Sequence, residues 1–244
     1  ITSDSTDTPV INVPTWKNAG GEQNDGFPIC VHLNGHNITA NNYYAISNNY
    51  GGATLNVMGN GIVSGNNPTA NRASTVFMNT DNTLAMNLYG GTYVKPDTNA
   101  NAIAQVGIWN TESTLNISDD VTFDCLHDSD GDNEGDIYGS SLSVQKGTVN
   151  ISDGTFTGEM TLINGGVLNL SGTPEIGLLK IPTDTKVQLG ELKTGASITV
   201  IASGVFTEEN EKADNYDDFF HPAIPADQII TDDNVLKYVG TPGD

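Results

Sequence analysis

The chain has 244 residues, 27 of them Gly and 10 Pro, with 36% hydrophobic residues and 9 basic against 30 acidic side chains, a formal charge of −21. That is enough chain for one sizeable core if a thin apolar supply is used efficiently. With a single arginine, Arg72, it excludes nucleic acid, whose phosphates would be repelled at every approach, and anionic membrane surfaces are disfavoured for the same reason. No stretch reaches the roughly 20 apolar residues of a membrane helix, so no membrane insertion is expected. The start, ITSDSTDTPV, has neither a basic n-region nor an apolar h-region, and a soluble chain past any leader cleavage is expected.

Taken in order, residues 1–28, with Trp16 and Phe27, have the aromatic content of an N-terminal cap. VHLNGHNIT, from Val31, then opens a repeat, which continues as Thr54-Leu-Asn-Val, Thr83-Leu-Ala-Met, Thr114-Leu-Asn-Ile, Thr148-Val-Asn-Ile and Val167-Leu-Asn-Leu. The copies begin 19 to 34 residues apart, an elastic period that suits loops inserted between fixed rungs. Each runs through a Gly, Asn or Asp turn into a second short strand (GNGIVSG, GGTYVKP, DDVTFDC, DGTFTGE, SGTPEIG). A third strand (YAISNN, TVFMNTDN, GIWNTES, LSVQKG, TLINGG) precedes the next copy. Downstream, KVQLG and SITVIASG read as two shorter rungs. Residues 204–244, with Phe206, Phe219 and Phe220, read as a C-terminal cap.

Three short strands per repeat with no helical segment between them make a coil rather than hairpin meanders. The expected fold is therefore all-β: a single three-sided parallel β-helix of about seven rungs over residues 29–203, capped at both ends because an open coil exposes sheet edges. Equivalent strands then stack about 4.8 Å apart. Leu55, Leu84, Leu115, Val149 and Leu168 form one inward column, and Val57, Met86, Ile117, Ile151 and Leu170 a second. Between them Asn56, Asn116, Asn150 and Asn169 face solvent, with Ala85 breaking the run. A ladder of stacked side-chain amides is expected at a different place, the bend after the third strand, from Asn48, Asn79, Asn110, Gln145 and Asn164. Cys30 and Cys125 fall about three rungs, roughly 14 Å, apart, too far for a bridge, and are expected as free, largely buried thiols.

The opening VHLNGHNIT, the TLNVMGNGIVSG-type repeats and the ending GASITVIASGVFTEEN…FF…DDNVLKY resemble the right-handed parallel β-helix segments of large surface and secreted proteins from Gram-positive gut bacteria. The resemblance implies a place rather than a reaction. It points to an extracellular module, monomeric within a larger chain, in adhesion, spacing or carbohydrate contact, with a polysaccharide or a host or neighbouring surface protein as partner.

Two further readings concern sites. Asp128, Asp130, Asp132, Glu134 and Asp136 alternate through a Gly-containing loop, a pattern that turns carboxylates toward one point and suits Ca²⁺; it resembles the first half of an EF-hand or dockerin-type loop. Asn133 stands where that pattern has Gly and Gly139 where it has its closing acid, so a solvated acidic insertion is the plain alternative. A carbohydrate-active enzyme, hydrolase or lyase, would draw on Asp119, Asp120, Asp124 and His127, although Asp in the 119–120 turn is also ordinary turn chemistry. For ligand contact, Ser47, Met78, Trp109, Val144 and Ile163 alternate with Ile46, Phe77, Ile108, Ser143 and Leu162. If the Phe77 series is inside, Trp109 and Met78 form an outer apolar patch on which a sugar ring stacks, to which Tyr89 and Tyr93 add aromatic surface.

Overall fold

Alternation of burial makes these segments strands. In Thr54–Met58 the side chains of Leu55 and Val57 are fully buried while Thr54, Asn56 and Met58 are half-buried, and Gly147–Ile151 repeats the pattern. The computed structural model describes residues 5–7, 11–12, 28–40, 45–48, 54–64, 76–78, 85–94, 106–108, 113–124, 126–127, 136–137, 140–144, 146–162 and 165–240. Within them the regular structure is nearly all strand, with two single-turn 3-10 helices at Ala213–Asn215 and Asp217–Phe219.

The strands form a parallel β-helix with three faces. The first stacks Ile29–His32, Thr54–Met58, the first halves of Ala85–Val94 and Thr114–Asp124, then Gly147–Ile151, Gly166–Gly172 and Gln188–Leu192, each parallel to the next. The second stacks Ser5–Asp7, Ile38–Ala40, Ile62–Ser64, the second halves of the two long strands, and the starts of Thr155–Leu162, Glu175–Lys180 and Ser197–Ile201. The third stacks Ile11–Asn12, Ile46–Asn48, Val76–Met78, Val106–Ile108 and Ser140–Val144, then the ends of the same three bent strands.

Up to Val144 the second and third faces are separate strands. From Thr155 one strand turns the corner, with register shifts at Phe156/Glu159 and Ile176/Leu179. The separation of stacked asparagines accordingly drops from 34 residues to 19.

The core is a set of vertical columns. On the first face Ile29, Leu55, Met86, Leu115, Val149 and Leu168 stand in register, as do Val31, Val57, Leu88, Ile117, Ile151, Leu170 and Leu189 two residues on. On the second, Ile38, Val63, Tyr93, Phe123, Phe156, Ile176, Ile198 and Phe220 do the same. Tyr93, Phe123 and Phe156 are stacked rings, with centroids 5.0 and 5.3 Å apart and planes within 18° and 9°. Each fully buried aliphatic or aromatic side chain contributes about 1.5–3 kcal/mol of transfer free energy.

This register corrects several expectations. The second repeat is offset by two residues: Ala85, not Thr83, pairs with Thr54, so Met86 lies above Leu55, and Leu88 above Val57. A two-residue slip is invisible to an in/out pattern, because it leaves every side chain on its own face. Leu84 lies outside the described residues. KVQLG and SITVIASG belong to one turn, since Gln188–Leu192 pairs on the first face and Ser197–Ile201 on the second and third. On the third face the two expected series are mixed: Ser47, Phe77, Gly107, Ser143 and Thr161 share one register position, and Asn48, Met78, Ile108, Val144 and Leu162 the next.

Asn48 thus pairs with Met78, and Asn79, Asn110, Gln145 and Asn164 lie outside the described residues. An amide ladder stands on the first face. Asn87 Nδ2 donates to Asn56 Oδ1 at 2.7 Å, Asn116 to Asn87 at 2.7 Å, Asn150 to Asn116 at 2.7 Å and Asn169 to Asn150 at 2.6 Å. Ala85 does not interrupt it, because Asn87 occupies that rung. Below the ladder, Asn56 Nδ2 reaches Cys30 Sγ at 3.7 Å, and the Cys30 side chain is exposed rather than buried, since its strand position is on the outer side with the asparagines. Cys125 lies outside the described residues.

At the ends the coil runs further than the expected caps. Ser5–Asp7 and Ile11–Asn12 pair in parallel onto the second and third faces, and Phe220–Pro222 pairs in parallel with Ser197–Ile201. Closure at the C-terminal end comes from a three-stranded antiparallel sheet of Gly204–Val205, Val235–Val239 and Gln228–Asp232, with Phe206 against Phe220 at 5.8 Å. Trp16 and Phe27 lie outside the described residues.

The cap holds a buried polar pair. Tyr238 Oη donates to Asp227 Oδ2 at 2.6 Å, and burial, then the hydrogen bond to Asp227 and its negative charge, push the phenol up to about 12 from 10. Burial alone also raises Tyr93. A phenol whose pKa is higher folded than unfolded contributes stability that is fully present below pH 10 and is lost as pH rises through 12. Equilibrium denaturation in that alkaline window should show stability falling with pH, and Tyr238→Phe should flatten part of the fall.

Candidate functional site

The turn that joins the first face to the second carries an open polar groove. It follows the inward residues Ile117, Ile151 and Leu170 and is written three times in the sequence, as Asn116-Ile-Ser-Asp119, Asn150-Ile-Ser-Asp153 and Asn169-Leu-Ser-Gly172. Stacking brings Ser118, Asp119, Ser152, Asp153, Glu191 and Lys193 along one open groove of about 430 Å³. The backbone dictates the residue types. Asp119 sits at φ 59°, a left-handed position that a short carboxamide or carboxylate side chain tolerates, and Gly172 at φ 65°. A Cβ at 172 would also run into the Ser152 carbonyl oxygen of the neighbouring turn, so Gly is required there twice over.

The turns are locally braced. Asp153 Oδ1 accepts the Gly154 N–H at 2.8 Å, and Ser152 Oγ donates to the Ile117 carbonyl at 3.4 Å. Three carboxylates, Asp119, Asp153 and Glu191, face one ammonium, Lys193, so the groove is anionic on balance. A second open groove of about 360 Å³ runs over the second face, between Thr155, Thr157, Glu175, Gly177, Ser197 and Thr199.

Of the residues singled out in the sequence, Asp119 lies in the first groove. Asp120, Thr122 and Asp124 lie on the outer side of one strand, around the buried Val121 and Phe123. Four residues of extended strand separate Asp120 from Asp124 by about 13 Å, beyond the roughly 5–9.5 Å of a glycosidase carboxyl pair. Asp124 instead accepts the Thr157 hydroxyl at 3.3 Å. Tyr89 is 39% exposed, one rung from the Ser118 end of the groove. Tyr93 does not join it: its ring is wholly buried against Phe123, and its hydroxyl donates to the Gly90 carbonyl at 3.3 Å. The alternation Tyr89-Gly-Gly-Thr-Tyr93 spans the corner, which puts the two tyrosines on opposite sides of the sheet wall.

Trp109 lies outside the described residues, and Met78 is placed only by its strand register. So do Asp128, Asp130, Asp132 and Glu134. His127 and Asp136 are register partners in a two-residue antiparallel pair, Leu126–His127 with Asp136–Ile137. Among the described residues no His, Cys, Asp and Glu group is placed to hold a metal ion.

Asp153, Ser152, Glu191 and Lys193 were not singled out from sequence. The Ile-Ser-Asp that follows two of the ladder asparagines, Asn116 and Asn150, was the available signal for Ser152 and Asp153, because any residue that repeats with the rung must line up along the coil. Comparison with protein-family models, with curated proteins and with solved structures finds no match for this chain.

Proposed function

We propose that the chain is a non-catalytic spacer and carbohydrate-contacting module of an exported bacterial surface protein. The observation that carries this reading is the stack of hydrogen-bonded rungs whose outer side offers open grooves where Ser, Thr, Asp and Glu residues stand. Such a wall is rigid, because each rung is pinned to its neighbours by backbone ladders and side-chain columns, and its surface repeats at the rung spacing. Repetition of that kind suits an extended polymer better than a compact small molecule, and grooves between such residues match the hydrogen-bonding needs of sugars. The high negative charge keeps copies of such a rod apart.

The test is retention of the purified chain on a panel of neutral, amino and acidic polysaccharides, with parallel assays for new reducing ends and unsaturated products. Retention without products is expected. Release of products would replace this reading with a carbohydrate-active enzyme, and retention on none of the panel would remove the carbohydrate part.

A further inference from the structure

We infer that the glycan-contacting surface is the turn groove between the first and second faces, and that it takes an extended chain of neutral or amino sugars and rejects acidic ones. This rests on the carbohydrate reading above and gives it a place and a substrate class. Three features support the assignment. The groove runs along the coil axis, crossing from Ser118 and Asp119 through Ser152 and Asp153 to Glu191 and Lys193, so it is long in the direction in which an extended glycan is long. Each rung adds a similar set of short polar groups about 4.8 Å further on, so successive sugars of a β-linked chain meet similar partners.

An exposed aromatic ring stands one rung beyond the Ser118 end of the groove. Tyr89 belongs to the rung next to Ser118 and keeps 39% of its surface exposed, where it continues the line set by Met58 and His32 below it. An exposed ring beside hydrogen-bonding groups gives one apolar platform for a pyranose face and several partners for its hydroxyls. The sign of the charge selects among sugars. Asp119, Asp153 and Glu191 against Lys193 repel uronate and sulfate groups and attract a protonated amine.

The experiment measures affinity by calorimetry for three soluble probes, a glucosamine oligosaccharide at mildly acidic pH, a cello-oligosaccharide and an oligogalacturonate. It compares the parent chain with Tyr89→Ala and with the double variant Asp119→Asn, Asp153→Asn. Asparagine tolerates the left-handed backbone at 119 and still accepts the Gly154 N–H at 153, so the turns remain intact while two charges go. The glucosamine probe should bind tightest and the oligogalacturonate weakest. The double variant should weaken the glucosamine probe about tenfold with little effect on the cello-oligosaccharide, and Tyr89→Ala should weaken both by about that factor. Binding of the probes that is unchanged in both variants, or lost only on Trp109→Ala, would overturn the groove while leaving the carbohydrate reading in place. Binding of none of the three, with retention on other polysaccharides, would overturn the sugar class assigned here, and no retention on any glycan would end both.

Discussion

Replacing Phe123 with alanine is expected to destabilise the fold by about 3–5 kcal/mol, read as a lower midpoint in equilibrium denaturation. The ring is 1% exposed and sits between Tyr93 and Phe156 in near-parallel stacks, so its removal opens a cavity bounded by two aromatic faces. Neither neighbour can move in to fill it, because each is fixed to its own rung by backbone pairing on both sides. Position makes the effect larger than a similar loss near an end. In a coil each rung touches only its neighbours, so stability is a sum of rung and interface terms, and a defect in the middle uncouples the two halves. The expected signature is therefore a broader or two-step transition in Phe123→Ala where the parent chain melts in one, with Phe123→Leu recovering most of the loss. A single sharp transition shifted by under about 1 kcal/mol would mean that the aromatic stack adds little beyond the aliphatic columns.

That dependence on columns explains how much of the molecule could be read in advance. Leu55, Leu115, Val149 and Leu168 recur in the same tetrapeptide and were placed together, because burial writes a period of two along a strand and stacking writes the same letters at every rung. In the second repeat two candidate frames, Thr83-Leu-Ala-Met and Ala85-Met-Asn-Leu, satisfy the same alternation. Only the pairing partner separates them, and the Asn87 bond to Asn56 selects the second. The third face was harder for a related reason. Val76–Met78 and Val106–Ile108 are three residues long and follow connections of unequal length, so nothing local fixes their register. The functional groove was half legible. Asp119 stood out as a carboxylate, but its partners come from rungs 34 residues and more away, and the local alphabet of Ser, Asp and Gly has a sufficient explanation in turn geometry alone.

Breaking the amide ladder is expected to have the next largest effect. Asn116 donates to Asn87 and accepts from Asn150, so Asn116→Ala leaves an acceptor below and a donor above unpaired at part-buried positions, at a cost of about 1–3 kcal/mol. The ladder is polar in direction, each amide donating toward the N-terminal rung, and aligned amides reinforce one another. Its upper end is unfinished. Asn169 Oδ1 is buried without a partner, and the residue in register above it is Gln188, one methylene too long to repeat the geometry. Asn169→Ala removes only the bond to Asn150 and should therefore cost less than Asn116→Ala. Gln188→Asn supplies the missing donor and should raise the denaturation midpoint by the equivalent of about 0.5–1.5 kcal/mol. Both results depend on the same one-directional chain of amides. If Gln188→Asn is neutral while Asn116→Ala costs as much as stated, the asparagines act as isolated pairs. If Asn169→Ala costs as much as Asn116→Ala, the loss lies in packing and not in hydrogen bonds.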